Sequence, residues 1–436
     1  MERQIHQNLL EWKANRTRKV LLIRGARQVG KTYSVRELGK TYKYYLEVNF
    51  ESDRKVHQFF QNDLDPDEIF RNLAAYYNVP IINGETLLFF DEIQACIPAL
   101  VSLRFFHEKQ PDLHLIAAGS LLEFALKEIP SFGVGRIENL FMYPMSFDEF
   151  LLAMDQKNLY KLKQESGPEK PLNPAIHQKL IELLKKFLLT GGLPEVIRTY
   201  AETGDLRRSQ SVLDQLIIGL EDDFAKYKRL VPASRIREVF AAVVNQSGNK
   251  FNISKATGTA DHRQVKDALS LLEMAGLAYR VSHTAASGLP LGSLVNPGKY
   301  KMILYDHGVF QRILGLNLSE HLLANDFQLI NKGNLAEQFI GTELIKLQPP
   351  GNRTHLFYWH RESRGSNAEV DYVIQKNEKI IPIEVKSGTQ GKMQSLRIFM
   401  NEKKLSEGIR TSLENFCRYD NISVYPLYAV GNLLKA

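Results

Sequence analysis

The stretch that decides the fold is Lys19-Val20-Leu21-Leu22-Ile23-Arg24-Gly25-Ala26-Arg27-Gln28-Val29-Gly30-Lys31-Thr32. Its first half is an apolar run that reads as a buried strand, and its second half turns through two glycines into an amphipathic helical pattern. Gly25 to Thr32 spell G-x-x-x-x-G-K-[ST], the P-loop pattern, and the strand before and helix after supply the context it needs. Glycines let successive backbone N–H groups turn toward one point. Gly25, Ala26, Arg27, Gln28, Val29 and Gly30 can therefore cradle phosphate oxygens, while the following helix presents its positive end to the same anion. Lys31 is expected to reach the β- and γ-phosphates of ATP, and the Thr32 hydroxyl to ligate Mg²⁺.

Outward from this stretch the chain alternates strands and helices. Residues 1–18 read as a short helix with Ile5, Leu9, Leu10 and Trp12 on one face. Tyr44 to Phe50 reads as a strand, Asp65 to Val79 as a helix, and Thr86-Leu-Leu-Phe-Phe-Asp91-Glu92 as a buried strand ending in two carboxylates. Acids at the carboxyl end of a parallel strand emerge where α/β sheets bind ligands. Asp91 is expected to hold Mg²⁺ through its water shell and Glu92 to polarise the attacking water; taken alone, an Asp-Glu pair after a strand is also an ordinary helix cap. A further strand, Leu113 to Ala118, ends in Gly119-Ser120, where a polar side chain can sense the γ-phosphate.

Gly25–Thr32, Leu87–Glu92, Gly119-Ser120 and the run Gly135-Arg136…Tyr143-Pro144-Met145-Ser146-Phe147-Asp148-Glu149-Phe150 together resemble the AAA+ ATPases. The likeness is to the bacterial and archaeal group whose C-terminal region is often labelled DUF4143 (AAA_14-type), and it covers essentially the whole chain. The resemblance implies that Ser120 is a sensor residue and Arg136 an arginine finger or γ-phosphate contact, acting in cis or, in a homo-oligomer, in trans. It also assigns the Gly191-Gly192-Leu193-Pro194 element to the turn of a helical lid. A loop arginine such as Arg136 is otherwise an ordinary surface charge.

At 436 residues the chain exceeds the roughly 250–300 at which single cores stop growing, so several domains are expected. The spans read as an ATPase core over 1–155, a connecting loop over Lys157–Asn173, a helical lid over 174–230, a winged helix over 231–325 and a second α/β domain over 326–436. The segment after Met1 has no apolar signal core and no run approaches 18 apolar residues, so the chain reads as cytoplasmic and not membrane-bound. Two cysteines, Cys96 and Cys417, lack metal-ligand spacing and read as buried free thiols. The net charge of +7 is compatible with an anionic partner such as DNA.

Residues 231–300 carry eight Lys and Arg against four Asp and Glu. Helices at Arg235–Asn245, Ser254–Thr257 and Arg263–Ala275, then strands at Leu277–Val281 and Tyr300–Tyr305, read as a winged helix. In DNA-binding versions its third helix enters the major groove. His262, Arg263, Gln264 and Lys266 stand near that helix's start; packing against protein is the alternative use.

Further on, Asn334–Leu347 reads as a helix bearing Glu337, followed by strands Glu369–Ile374 and Ile380–Lys386. A symmetric hairpin centred on Asn377-Glu378 sets Asp371 opposite Glu384, and Lys386 shares the face of Glu384. Such acids are costly together unless a cation sits between them. Asp371…Glu384-x-Lys386 with Glu337 resembles the PD-(D/E)XK nuclease fold of restriction enzymes and Holliday-junction resolvases, although Glu369-Val370 stands where some members have Pro before the Asp. The resemblance implies that Glu337, Asp371 and Glu384 hold Mg²⁺ or Mn²⁺ and that Lys386 orients the attacking water. Two functional classes remain open: an ATPase acting on DNA, and a nucleotide-switched scaffold for a protein partner with an inactive nuclease-like domain.

Overall fold

The computed structural model describes every residue except 62, 121, 128, 130–134, 228–230, 259–260, 316–333, 363–366, 389–392 and 434–436. The expected junction at 325/326 thus lies outside the described residues. Two compact units emerge: Glu2–Tyr143 with Pro349–Arg353, and Pro144–Gln348 with Thr354–Ala436 and Met1.

In the first unit, α1 (Ile5–Ala14) precedes β1 (Val20–Arg24), α2 (Lys31–Gly39), β2 (Tyr44–Asn49), α3 (Pro66–Tyr77) and β3 (Thr86–Asp91). Then come α4 (Ile97–Lys109), β4 (His114–Ala118), α5 (Leu122–Lys127) and β5 (Ile137–Phe141). The strands form one parallel sheet in the order β2-β3-β4-β1-β5. β3 and β4 are buried along their whole length, which is why both read as unbroken apolar runs. Because every strand runs the same way, Gly25, Asp91 and Gly119 all leave the sheet at one edge. β4 lies between β1 and β3, with Ala118 beside Ile23 and Ala117 beside Phe90.

The second unit opens on α6 (Phe147–Ala153), whose start is closed by a capping box between Ser146 and Glu149. α7 (Lys157–Gln164) follows, so the expected loop over Lys157–Asn173 is in part a helix. Its polar face hid it: Lys163 has no exposed surface, pairs with Asp148 at 2.7 Å and donates to Asn432 at 3.1 Å. α8 (Pro174–Thr190), α9 (Pro194–Thr203) and α10 (Leu206–Asp223) are helices within the span expected as a lid. After them come α11 (Ala233–Asn245), α12 (His262–Met274), β6 (Ala278–Thr284), β7 (Val295–Leu304) and α13 (His307–Ile313). Asp306 accepts the Gly192 N–H at 2.7 Å and Arg312 grips Asp214 with two bonds, so the α8–α10 helices are held to α13.

The remainder is α14 (Asn334–Lys346), β8 (Leu356–His360), β9 (Glu369–Lys376), β10 (Lys379–Val385), α15 (Gln394–Lys403), β11 (Gly408–Ser412), β12 (Cys417–Tyr419) and β13 (Ile422–Pro426). These strands join the β6–β7 hairpin in one eight-stranded sheet, ordered β12-β13-β11-β10-β9-β8-β6-β7. The bond is the parallel pairing of β6 with β8, Val281 beside Leu356. Two stretches expected as separate domains thereby share a single sheet.

Phe147 and Phe150 pack on Phe187, which meets His307 at 4.6 Å between ring centres, and His307 meets Phe339 at 5.3 Å. Beside them the buried Glu343 accepts the Phe147 N–H at 3.1 Å and pairs with Lys346, which donates to the Met145 carbonyl. The Met145–Phe150 run is therefore a packing hub. Cys96 is buried, whereas Cys417 is only half-buried, a departure from the expected pair of buried thiols. Among the described residues no helix is long and apolar enough to cross a membrane.

Lys163→Ala should lower stability by about 3–5 kcal/mol, because it strands a buried Asp148 carboxylate. The double variant Lys163→Met/Asp148→Leu removes both charges and should lose less. Urea unfolding checks this; an equal loss in both would mean that the pair is not what matters at this position.

Candidate functional site

The glycines of the P-loop answer to space and to conformation. Gly25 has φ +140°, and a Cβ there would lie 2.1 Å from the Met142 carbonyl oxygen, so no side chain fits. Gln28 at φ 65° and Gly30 at φ 94° adopt left-handed backbone, a sequence of turns that aims N–H groups inward. Gly30 then caps α2, whose first residue is Lys31. The Lys31 ammonium donates to the carbonyls of Gly25 at 3.0 Å and Ala26 at 2.8 Å. Burial pushes its pKa down to about 8, against the pull of Glu92 and Asp91; the nearby Arg27 charge adds to the lowering.

One contributor carries no motif. Arg3, buried ahead of α1, donates to the Val29 carbonyl at 2.7 Å and to the Tyr143 carbonyl at 2.9 Å. Nothing in the spacing of the N-terminal residues marks it, since its partners lie far along the chain.

Opposite the loop, Thr32 Oγ1 donates to Asp91 Oδ2 at 3.1 Å, and Asn49 approaches the same oxygen at 3.4 Å. Burial, followed by the charge of Glu92, raises the Asp91 pKa to about 6. A hydroxyl and a carboxylate converging on one point make a hard-oxygen pair suited to Mg²⁺, so these residues fit the ion. Glu92 sits at φ 50°, a conformation that costs of order 1–3 kcal/mol for a non-glycine residue. Its carboxylate accepts from Gln94 Nε2 at 2.5 Å, and Gln94 in turn packs over Gly119, where a Cβ would fall 1.9 Å from Gln94 Oε1. Ser120 follows at the end of β4, on the edge shared with the P-loop and Asp91.

Arg136 is placed differently. It precedes β5, whose first residue Ile137 pairs with Val20 at the start of β1, and it forms an exposed ion pair with Glu108. The P-loop follows the other end of β1. A strand of this length spans about 15 Å at ~3.3 Å per residue, so Arg136 stands at the end of β1 away from the P-loop.

In the second unit the hairpin turn has both Asn377 and Glu378 at positive φ, and the register runs from Lys379↔Lys376 to Ile383↔Tyr372. Carried one residue further, it sets Asp371 beside Glu384. The Asp371 carboxylate accepts the Val385 N–H at 2.7 Å. Between Val370 and Val373 the β8–β9 pairing slips, so that Asp371-Tyr372 forms a bulge. Bulges of this kind re-aim side chains next to functional sites. Tyr372 Oη donates to the Glu337 carbonyl at 2.8 Å, which docks α14 on the sheet. Burial, then the charges of Glu337 and Glu384, drive the Asp371 pKa well up; burial also raises that of Glu384, against Lys386 at 2.5 Å.

Glu337 is not a free ligand, because Lys301 pairs with it at 2.8 Å and with Glu369 at 2.5 Å. Both Lys301 and Glu369 escaped the motif reading. Among the described residues, no three His, Cys, Asp or Glu side chains converge to hold a metal ion. Glu384 Oε2 is nonetheless buried without a hydrogen-bond partner, so Asp371 and Glu384 fit a cation better than Glu337 does.

Residues 17–151 match the family model described as an AAA domain (AAA_14), residues 181–320 a domain of unknown function (DUF8612), and residues 332–430 a domain of unknown function (DUF4143). The chain thus carries an AAA-type P-loop ATPase domain followed by a DUF4143 region. No curated protein matches it. Among solved structures, a Walker-type ATPase of Pyrococcus abyssi is 16% identical, with a TM-score of 0.45, over 72% of this chain and 95% of its own. A signal-transduction ATPase with numerous domains and a tetratricopeptide-repeat sensor, from Pyrococcus horikoshii, is 10% identical with a TM-score of 0.26. That match covers 77% of this chain and 47% of the Pyrococcus protein. Neither is close enough to transfer an activity.

The lowered Lys31 pKa has a measurable sign. Above pH 8 the free ammonium is largely neutral, whereas a bound polyphosphate favours its charged form, so nucleotide binding should take up protons. Calorimetry at about pH 8.5 in buffers of different ionisation heat should find most of one proton taken up per ATP, falling toward none near pH 7. No uptake at the higher pH would place Lys31 at its ordinary value.

Proposed function

We propose that this protein binds and hydrolyses Mg·ATP and uses the cycle to act on DNA through its C-terminal region. The observation that carries the first half is the Thr32–Asp91 contact facing the P-loop, with Glu92 next in sequence. In this reading Lys31 leaves the Gly25 and Ala26 carbonyls for the β- and γ-phosphates. The inward N–H groups of Ala26 to Gly30 hold the phosphate oxygens in line. Glu92, steadied by Gln94, takes the proton of the attacking water, and Ser120 reports on the γ-phosphate. Mg²⁺, held by Thr32 and Asp91, supplies charge compensation on the phosphates. Arg136 serves a neighbouring subunit's site, since it stands at the end of β1 away from its own P-loop.

For DNA, the support is the helix-helix-hairpin order of α11, α12, β6 and β7, with His262, Arg263 and Lys266 exposed along the start of α12. Beyond it, α14, the β8–β9–β10 meander, α15 and the parallel β11 follow the order of the PD-(D/E)XK core. In this reading Asp371 and Glu384 would hold a divalent ion, and Lys386 would steady the attacking water. One observation favours the scaffold reading instead: Lys301 already neutralises the Glu337 side of the cluster.

Lys31→Ala should abolish ATP binding, and Glu92→Gln should keep it while lowering turnover by about 10²–10⁴-fold. Binding and hydrolysis measured separately check this; undiminished turnover in Glu92→Gln removes Glu92 as the base. Replacing Arg263 and Lys266 by Ala should flatten the salt dependence of DNA affinity by roughly 0.9 log–log units per lost contact. Unchanged slopes would move the α11–β7 region to protein packing. Mg²⁺- or Mn²⁺-dependent cleavage, tested on varied DNA structures, should vanish in Asp371→Ala, Glu384→Ala and Lys386→Ala. Cleavage that survives in all three belongs to something else.

A further inference from the structure

Lys301 lies in β7, the second strand of the hairpin after α12, with 1% of its surface exposed. Its ammonium is 2.8 Å from Glu337 Oε1 and 2.5 Å from Glu369 Oε1, and stands 5.2 Å from the centre of the Tyr358 ring. A lysine held this way is a cation on a tether. It occupies the place where a dissociable ion would neutralise the helix-borne acid and the acid at the start of β9. Across the cluster, Glu384 gives one oxygen to Lys386 and leaves Oε2 buried with no partner. An unpaired carboxylate oxygen shut away from water is costly, and a hard cation is the ligand that relieves it.

The two observations pull against each other. A divalent ion needs six or more oxygen ligands at 2.0–2.6 Å, which requires the acids to close on one point. While Lys301 holds Glu337 and Glu369, they do not close, and its charge repels a dication from the same space. We propose that Lys301 is the resident cation of the Glu337–Glu369–Asp371–Glu384 cluster and that a divalent metal ion binds there only when this ammonium is withdrawn. The hairpin after α12 thereby keeps the cluster closed to metal. What an opened cluster does to DNA rests on the nuclease-like reading above; whether it takes up metal does not.

The test uses the full-length protein and Mn²⁺ alone, followed by calorimetry and by the electron paramagnetic resonance of free Mn²⁺. Lys301→Met should bind one more Mn²⁺ than the parent, at least about tenfold more tightly than any site the parent shows. That extra site should disappear again when Asp371→Asn is added. Lys301→Arg, which keeps the charge, should stay closed. In metal-free buffer Lys301→Met should melt lower than the parent, and Mn²⁺ should raise its midpoint by more than it raises the parent's. If the variant folds only with Mn²⁺, its collapse on chelation supports the proposal. Failure to fold even with Mn²⁺ overturns it, because the dication should then replace the lost ammonium. Equal Mn²⁺ binding by parent and Lys301→Met overturns it as well. Gained Mn²⁺ binding with no DNA cleavage leaves the proposal standing and removes the nuclease reading.

Discussion

Taking an ion out of water costs several kcal/mol unless a partner of opposite charge, or enough hydrogen bonds, goes with it. The chain meets that condition repeatedly, and each time at least one partner comes from another element of the chain. Asp148 of α6 meets Lys163 of α7, which is tied on to Asn432 near the described C-terminal end. Glu343 of α14 receives Lys346 and the Phe147 amide. Lys301 of β7 answers Glu337 and Glu369. These ties decide which helices and strands lie together in the second unit, because the aromatic packing of Phe147, Phe150 and Phe187 fills space without choosing partners for the charges.

In the nucleotide-binding unit the same condition is met with backbone. Lys31 is satisfied by carbonyls of its own loop and Asp91 by the Thr32 hydroxyl and the Glu92 amide. Both charges are held by groups that can exchange them for a ligand, and both are displaced from their ordinary pKa in the direction that disfavours charge. A site that paired Lys31 directly with Asp91 would be more stable empty and slower to admit a phosphate. The sheet order makes the arrangement possible, since β4 spaces the P-loop strand from the Asp91 strand and brings Ser120 to the gap.

Much of this was legible from residues whose signal is local. The strand–P-loop–helix stretch, the β3 run ending in Asp91-Glu92, and the Asn377-Glu378 turn that sets Asp371 against Glu384 each depend on a few neighbouring residues. Turn geometry and apolar periodicity determine them. What stayed hidden depends on long-range pairing. Lys163 looked like one more lysine in a polar loop, and its contacts with Asp148 and Asn432 are what tie α7 down as a packed helix. Lys301 and Arg3 belong to no motif, because a buried ion pair, or a guanidinium bonded to distant carbonyls, leaves no trace in spacing. The parallel pairing of β6 with β8 was also invisible, since a hairpin reads the same whether its outer edge is free or joined to another strand.

That pairing has a mechanical consequence for the acid cluster. If the α11–β7 region were a separate domain, it could move as a body and carry Lys301 away from Glu337. Joined to β8 through Val281 and Leu356, it cannot do so without breaking ladder hydrogen bonds, each of which costs about 1–3 kcal/mol if its groups are left buried and unpaired. A lysine side chain, by contrast, has four rotatable bonds and loses at most about 2 kcal/mol of rotamer freedom when fixed. Withdrawal of the ammonium is therefore cheaper than withdrawal of the strand. The side chain must still lose two ion pairs as it leaves, so opening needs a competitor for the acids or for the ammonium. A phosphate group approaching Lys301 and a divalent ion approaching the Glu337–Glu369–Asp371–Glu384 cluster would each replace part of what the other removes.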